Sequence, residues 1–299
     1  MDRKLCKTEE RNERTGNIDE LSTIDMIRLI NDEDKKVALA VEREAEHIAA
    51  AVDVIAGQLK AGGRLIYCGC GTSGRLGVLD AVECPPTYST DPDMVVGLIA
   101  GGYDAMFRAV EGAEDDRALG EKDLRDIRFG REDVLVGIAA SGRTPYVLGA
   151  MAYARSLGAP VVSVTCCPGS PVTEAADIAI APAPGPEVVT GSTRMKSGTA
   201  QKMVLNMLST GAMIKLGKVY GNLMVDVKPS NEKLIDRCRR IVCTAAEVDG
   251  ETAGEALEQC GWRPKTAIVM LRLGVDAEAA RKLLDGSGGR VAAALERGE

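Results

Sequence analysis

The sequence of 299 residues is poor in aromatic side chains: one Trp, six Tyr and two Phe. So few flat rings leave no platform on which successive nucleic-acid bases could stack. Lys and Arg are outnumbered 37 to 44 by Asp and Glu, a formal charge of −7, which argues against wrapping a phosphate backbone. No stretch approaches the ~18 uninterrupted apolar residues of a membrane-spanning helix. The start, Met1 to Arg14, is charged and polar, with no apolar core of the kind a secretory leader needs. Only one histidine is present, His47 on a charged helix, and none of the nine cysteines forms a Cys-x-x-Cys pair. A zinc site is therefore poorly supported. The odd cysteine count, with Cys68, Cys70, Cys166 and Cys167 inside apolar runs, reads as reduced thiols of a cytoplasmic protein.

What the chain does have is 33 glycines and 45% hydrophobic residues, a composition suited to a compact α/β domain with tight turns. After a polar arm, Ser22 or Thr23 can cap a short helix carrying Ile24, Ile27 and Leu29. A longer helix is expected after Asn31-Asp32-Glu33-Asp34, with Val37, Val41, Ile48, Val52, Ile55 and Leu59 at helical spacing, stopped by Gly62-Gly63. Nearly continuous apolar runs follow at Arg64–Cys68, Met94–Ile99, Asp133–Ile138, Pro160–Thr165 and Asp177–Ala181, the mark of strands buried on both faces. Helical stretches at Ser73–Val82, Asp104–Leu124 and Pro145–Leu157 separate them. Such alternation predicts a doubly wound, mainly parallel five-stranded sheet with right-handed crossovers. A long helix, Ser197–Leu216, would cover one face, and three short helices at Thr252–Cys260, Pro264–Leu271 and Asp276–Leu284 would form a small appendage. The expected division is 1–60 for the arm and helices, packing on the core or a partner, 61–243 for the α/β domain and 244–299 for the helical subdomain.

Three loops share a composition of glycine and hydroxyls at the carboxyl end of a strand: Cys68 to Gly74, Ala140 to Thr144, and Thr190 to Gly198. Ligands of open α/β sheets bind beyond those strand ends, where glycines admit backbone N–H groups to an anion and the next helix adds its positive end. In an acidic protein such local donors must overcome an unfavourable field, and three loops together point to a phosphate-type anion. Gly69-x-Gly71-x-x-Gly74 also matches the dinucleotide fingerprint. That pattern wants an acid at the end of the second strand, which here ends in Ile99-Ala100-Gly101-Gly102; Asp91 and Asp93 lie before it.

Two carboxylates stand out. Glu83 precedes Cys84-Pro85-Pro86, and the two prolines are expected to force the chain out of helix there. Glu111 and Glu114 would share a helix face, where crowded negative charge should raise a carboxyl pKa toward the working range of an acid or base. A solvated acidic face and a helix C-terminal residue are the plainer alternatives.

The run from Gly71 to Thr87, Gly71-Thr72-Ser73-Gly74-Arg75-Leu76-Gly77 with Glu83-Cys84-Pro85-Pro86, resembles the signature of N-acetylmuramic acid 6-phosphate etherases, of the sugar isomerase (SIS) superfamily. The resemblance extends through Thr8–Asn12, Glu111–Asp115, Ala140–Tyr146, Gly191–Thr199 and Val225-Asp226-Val227, and so spans the chain. It implies a SIS, flavodoxin-like fold. It also implies that Glu83 protonates the departing lactate oxygen, that Glu114 is the general base, and that Gly71, Thr72, Ser73, Ser141, Thr144, Ser192 and Thr193 hold the sugar phosphate. Lys196 is placed with them, either on the ligand or as a cap of the long helix. The implied activity is a lyase of cell-wall amino-sugar recycling that needs no metal and no cofactor. The alternatives are a non-catalytic sugar-phosphate regulator, like glucokinase regulatory protein, and a sugar-phosphate isomerase. In one continuous helix Glu83 would lie about 15 Å from Ser73, at 1.5 Å per residue. That reach leads to the expectation of a homodimer with a shared active site.

Overall fold

The computed structural model describes residues 6–227, 229 and 231–298. They divide into two compact units, Met1–Val82 with Asp93–Ser209, and Glu83–Pro92 with Thr210–Glu299.

The first unit opens with the polar arm and α1 (Thr23–Glu42) and α2 (Ala45–Lys60), then alternates β1 (Leu65–Gly69), α3 (Gly71–Tyr88, whose last turns fall in the second unit) and β2 (Val95–Ile99). It continues through α4 (Arg117–Asp126), β3 (Val134–Ile138), α5 (Pro145–Ser156), β4 (Val161–Val164), α6 (Pro171–Glu174), β5 (Ile178–Ile180) and α7 (Lys196–Lys215), which runs on into the second unit. The five strands are all parallel, in the order β2-β1-β3-β4-β5. Every residue of β1, β3 and β4 is buried, as their unbroken apolar runs require of strands covered on both faces. Ile66, Leu135, Tyr146, Val147 and Met151 form the core between the sheet and α5.

The second unit holds a short hairpin, β6 (Val219–Tyr220) with β7 (Leu223–Met224), and α8 (Glu232–Ala246), α9 (Gly250–Gln259), α10 (Pro264–Leu273), α11 (Ala277–Gly286) and α12 (Val291–Gly298). Cys238 and Val242 of α8 lie in one core with Leu257, Ile268, Leu284 and Leu295. The helical packing therefore starts well before residue 244, and α8 and α12 join the three short helices read from the sequence. No helix among the described residues is long and apolar enough to cross a membrane.

Four expectations need correction. The acidic stretch at residues 31–34 starts no helix; it lies inside α1, where Asp32 and Glu33 pair with Lys35 and Lys36 one turn on. The break comes at Arg43–Glu44, where the Glu44 carboxylate turns aside to accept from the Ala181 N–H at 3.1 Å. Pro85 and Pro86 do not end α3, which runs through them to Tyr88. Proline removes its own N–H but has helical φ, and packing holds the last turn: Tyr88 is buried, with its hydroxyl 3.4 Å from Thr210 Oγ1. Residues 104–124 are not one helix either. A 3-10 turn at Tyr103–Met106 leads into turns about Gly112, at φ +78, before α4 begins under an Asp116 cap. A positive φ is open to glycine and closed to a helix. Finally, Cys6 and Cys167 form a disulfide, with Cα atoms 5.8 Å apart. The other seven cysteines are in no disulfide. Pairing across 161 residues is a tertiary event with no local signal.

Candidate functional site

The strand order places β1 between β2 and β3. The chain leaves β1 toward β2 and returns past it to β3, so the carboxyl ends of β1 and β3 flank the switch point where such sheets bind ligands. The first glycine loop follows β1, and the second follows β3.

Loop one turns directly into α3. This needs a close approach: a Cβ on Gly74 would stand 2.6 Å from Gly69 O and 2.7 Å from Ile99 Cγ1, so only glycine fits. Ser73 is buried and donates to Gln201 Oε1 of α7 at 2.9 Å, which ties loop one to the element that follows loop three. Loop two lies beside the residues after β4, where Cys166 N donates to Ala140 O at 3.0 Å and its Sγ lies 3.7 Å from Ser197 O. The three loops are thereby drawn together. The side chains of Thr72, Ser141, Thr144, Ser192 and Thr193 are half-buried.

Loop three differs from the phosphate-cradle expectation. The first N–H groups of α7 are already occupied by Glu187, which is fully buried: its Oε2 accepts from Lys196 N and its Oε1 from Ser197 N, each at 2.9 Å, and from Ser197 Oγ at 2.7 Å. An internal carboxylate thus sits where an anion would bind a helix N-terminus. Lys196 is equally committed. Its side chain is 0% exposed, and its ammonium donates to Glu33 Oε2 at 2.8 Å and Pro184 O at 3.2 Å. Lys196 therefore faces α1 and the segment before the loop. The arm braces the same segment: Asn12 Nδ2 donates to Pro186 O and Thr15 Oγ1 to Val188 O.

Glu33 gathers three cations, Lys196, Lys36 and Arg14. Burial by itself would raise its pKa, but hydrogen bonds from Lys196, Lys36 and Asn12 outweigh it and hold the carboxyl at about 2, against an ordinary 4.5. A depressed folded-state pKa contributes stability that is complete above the unfolded value. It is lost as pH falls from about 4.5 to about 2. Glu33→Gln leaves Lys196 buried without its counter-ion, and is expected to cost about 3–5 kcal/mol at neutral pH. Urea unfolding of both proteins checks this: the gap should narrow through that acid range, and equal midpoints at neutral pH would refute it.

Glu114 lies in the turns before α4, not on a helix face shared with Glu111. Its carbonyl accepts from Tyr146 N at 3.1 Å, which fixes it beside the start of α5, next to loop two. Its side chain is exposed and lines a cavity of about 230 Å³ with Cys70 and Gly71 of loop one, Arg75, Arg108 and Glu111. Burial, with the nearby Glu114 charge, pushes the Cys70 thiol up to about 12, so it stays protonated and is no nucleophile. Glu83 is exposed on α3, in the second unit. Sequence reasoning missed Arg75, Arg108 and Glu187; the only available signal was their nearness to matched motifs.

The second unit contains a larger cavity, about 580 Å³, lined in part by Val225, Asp226, Trp262 and Lys265. There Asp226 pairs with Lys265 at 2.7 Å and Lys218 at 3.0 Å. The smaller cavity is the better candidate, because it combines a carboxylate with a glycine loop at the switch point.

Comparison with known proteins identifies the family and the fold. The profile of the glucokinase regulatory protein N-terminal SIS domain matches residues 47–155, and that of the SIS domain matches residues 124–211. Curated proteins called N-acetylmuramic acid 6-phosphate etherase are similar along the chain. The one from Photobacterium profundum is 60% identical, covering 98% of this chain and 97% of its own length. That from Photorhabdus laumondii is 62% identical over 93% and 92%, and that from Clostridium botulinum 57% over 97% and 96%. Among solved structures, a phosphoheptose isomerase from Neisseria gonorrhoeae superposes with a TM-score of 0.51 at 17% identity, covering 64% of this chain and 98% of its own. A putative phosphosugar isomerase from Bacteroides fragilis gives 0.50 at 22%, covering 66% and 94%. These two similarities concern the fold alone.

Proposed function

The chain belongs to the N-acetylmuramic acid 6-phosphate etherase family, and on that premise we propose that it cleaves the D-lactyl ether of this sugar phosphate, yielding N-acetylglucosamine 6-phosphate and D-lactate in amino-sugar recycling. An ether to lactate resists direct hydrolysis. Once the sugar ring opens, the carbon 1 aldehyde acidifies the proton on carbon 2. Glu114 removes that proton, the bond from carbon 3 to oxygen breaks, and Glu83 delivers a proton to the leaving oxygen. The double bond between carbons 2 and 3 is conjugated with the aldehyde, so water adds at carbon 3 and a proton returns to carbon 2. Two carboxyls in opposite protonation states suffice, each worth about 10²–10⁴-fold when positioned.

The observation that carries this reading is Glu114 itself, in one cavity with Cys70 and Gly71 and tied through its carbonyl to Tyr146. A base so placed stands beside the loops to which we assign the phosphate: Gly71, Thr72, Ser73, Ser141, Thr144, Ser192 and Thr193. Anchoring the phosphate orients carbons 2 and 3. Lys196, fully engaged with Glu33, is assigned to bracing loop three against α1 instead of to the ligand. The regulator reading is not favoured, since relatives at 57–62% identity are called etherases.

We further propose a homodimer that shares the site. Leu79 lies one helical turn before Glu83 on α3, and it and Val82 are 47% and 58% exposed. Apolar side chains beside an acid that must work away from water suit cover by a second copy. Seven of the nine cysteines lie outside the Cys6–Cys167 disulfide, and on that majority we assign the chain to a reducing compartment, the cytoplasm.

Incubation with N-acetylmuramic acid 6-phosphate in heavy water tests the reaction. The expected result is D-lactate together with deuterium at carbon 2 of the product. Deuterium without lactate would indicate an isomerase, and neither would leave a binding protein.

A further inference from the structure

We infer that Arg108 receives the carboxylate of the departing lactyl group, an inference that rests on the etherase reading and adds a specificity-determining residue to the same site. The substrate carries two anionic ends. The phosphate belongs to the hydroxyl loops, but the lactyl carboxylate hangs from carbon 3, beside the carbon whose proton Glu114 removes. It must therefore enter the cavity in which Glu114 and Glu111 place two carboxylates, in a protein whose overall charge is −7. Without a cation there, like-charge repulsion opposes binding of the one group that distinguishes this substrate from N-acetylglucosamine 6-phosphate.

Two guanidinium groups line that cavity, Arg75 and Arg108. Arg75 is held by the backbone: its Nε donates to Met106 O at 3.0 Å and its Nη2 to Ala105 O at 2.7 Å, which fixes where its guanidinium sits. This clamps the 3-10 turn at Tyr103–Met106 from which Arg108 emerges. The Arg108 backbone is fixed in its turn, with its N–H donating to Asp104 O at 3.0 Å. Its side chain is exposed, and among the described residues its guanidinium has no hydrogen bond or ion pair, not even with Glu111 or Glu114 on the same cavity wall. A fixed backbone carrying an open planar fork is what bidentate capture of a carboxylate asks for. Arg75 thus acts as a positioning residue, and Arg108 as the group that touches substrate.

The test compares Arg108→Gln and Arg108→Lys with the unaltered protein on two substrates. One is N-acetylmuramic acid 6-phosphate; the other is its lactamide ether, in which a neutral amide replaces the carboxylate. Arg108→Gln should lower kcat/KM for the lactyl ether by about 10–100-fold, the loss typical of a charge-assisted hydrogen-bond pair, and change it less than about threefold for the lactamide. Arg108→Lys should recover part of the lactyl activity, because it restores the charge without the fork. Equal losses on both ethers would show a structural role, and no loss on the lactyl ether would place the carboxylate elsewhere; either overturns the assignment. If the unaltered protein releases no lactate, it is the etherase reading that fails, and the Arg108 assignment with it.

Discussion

Glu114→Gln is expected to suppress lactate release and, with it, exchange of the carbon 2 proton. Glutamine keeps the size of the side chain but cannot take up a proton, so the step that begins the elimination is slowed. The expected fall is about 10²–10⁴-fold, the usual contribution of a positioned base. The fold should survive: the side chain is exposed, and the contact that holds this turn to α5 uses the Glu114 backbone carbonyl, not its carboxyl. Binding of the product N-acetylglucosamine 6-phosphate, measured by calorimetry, should therefore be retained while D-lactate and deuterium at carbon 2 both fall. Exchange at the normal rate in this variant would remove Glu114 from the role of base.

Glu83→Gln separates the two halves of the chemistry. Lactate release should fall on a similar scale of about 10²–10⁴-fold, because the leaving oxygen no longer receives a proton. Exchange at carbon 2 should persist, since Glu114 remains. The same two variants probe the shared site. If Glu83 and Glu114 of one site come from different subunits, each variant alone is inactive, yet a mixed dimer holds one intact site. Equal mixing with subunit exchange should restore about a quarter of the normal activity in a two-fold dimer. Light scattering reports the dimer, and mass spectrometry reports the exchange. Mixed dimers that remain inactive would place both carboxyls in one subunit.

The strands were legible because their signal is local. Leu65–Gly69, Val134–Ile138 and Val161–Val164 are buried at every position, so each had to be apolar throughout, and glycine and hydroxyl loops marked where each strand gave way to a helix. The errors fall where a distant partner decided the outcome. The acidic stretch at residues 31–34 looked like a helix start, whereas Glu33 is acidic because it neutralises Lys196, 163 residues away. Pro85 and Pro86 looked like a stop, but burial of Tyr88 carries α3 past them. Glu111 and Glu114 were read as one helix face, and Gly112 at positive φ separates them. Lys196 was read from its neighbours in sequence as a ligand contact or a cap of the long helix, while its ammonium points into a buried ion pair with Glu33.

Periodicity, glycine spacing and the long motifs determined the parallel α/β architecture and the three loops and singled out the two candidate glutamates, since each depends on residues adjacent in the chain. Only the tertiary structure decided which cations are free and which are held. Buried charge demands a partner, and the partners of Lys196, of the α7 N-terminus and of Arg75 are supplied by segments remote from them or by backbone carbonyls that no side-chain pattern reveals. That accounting leaves Arg108 open beside Glu114.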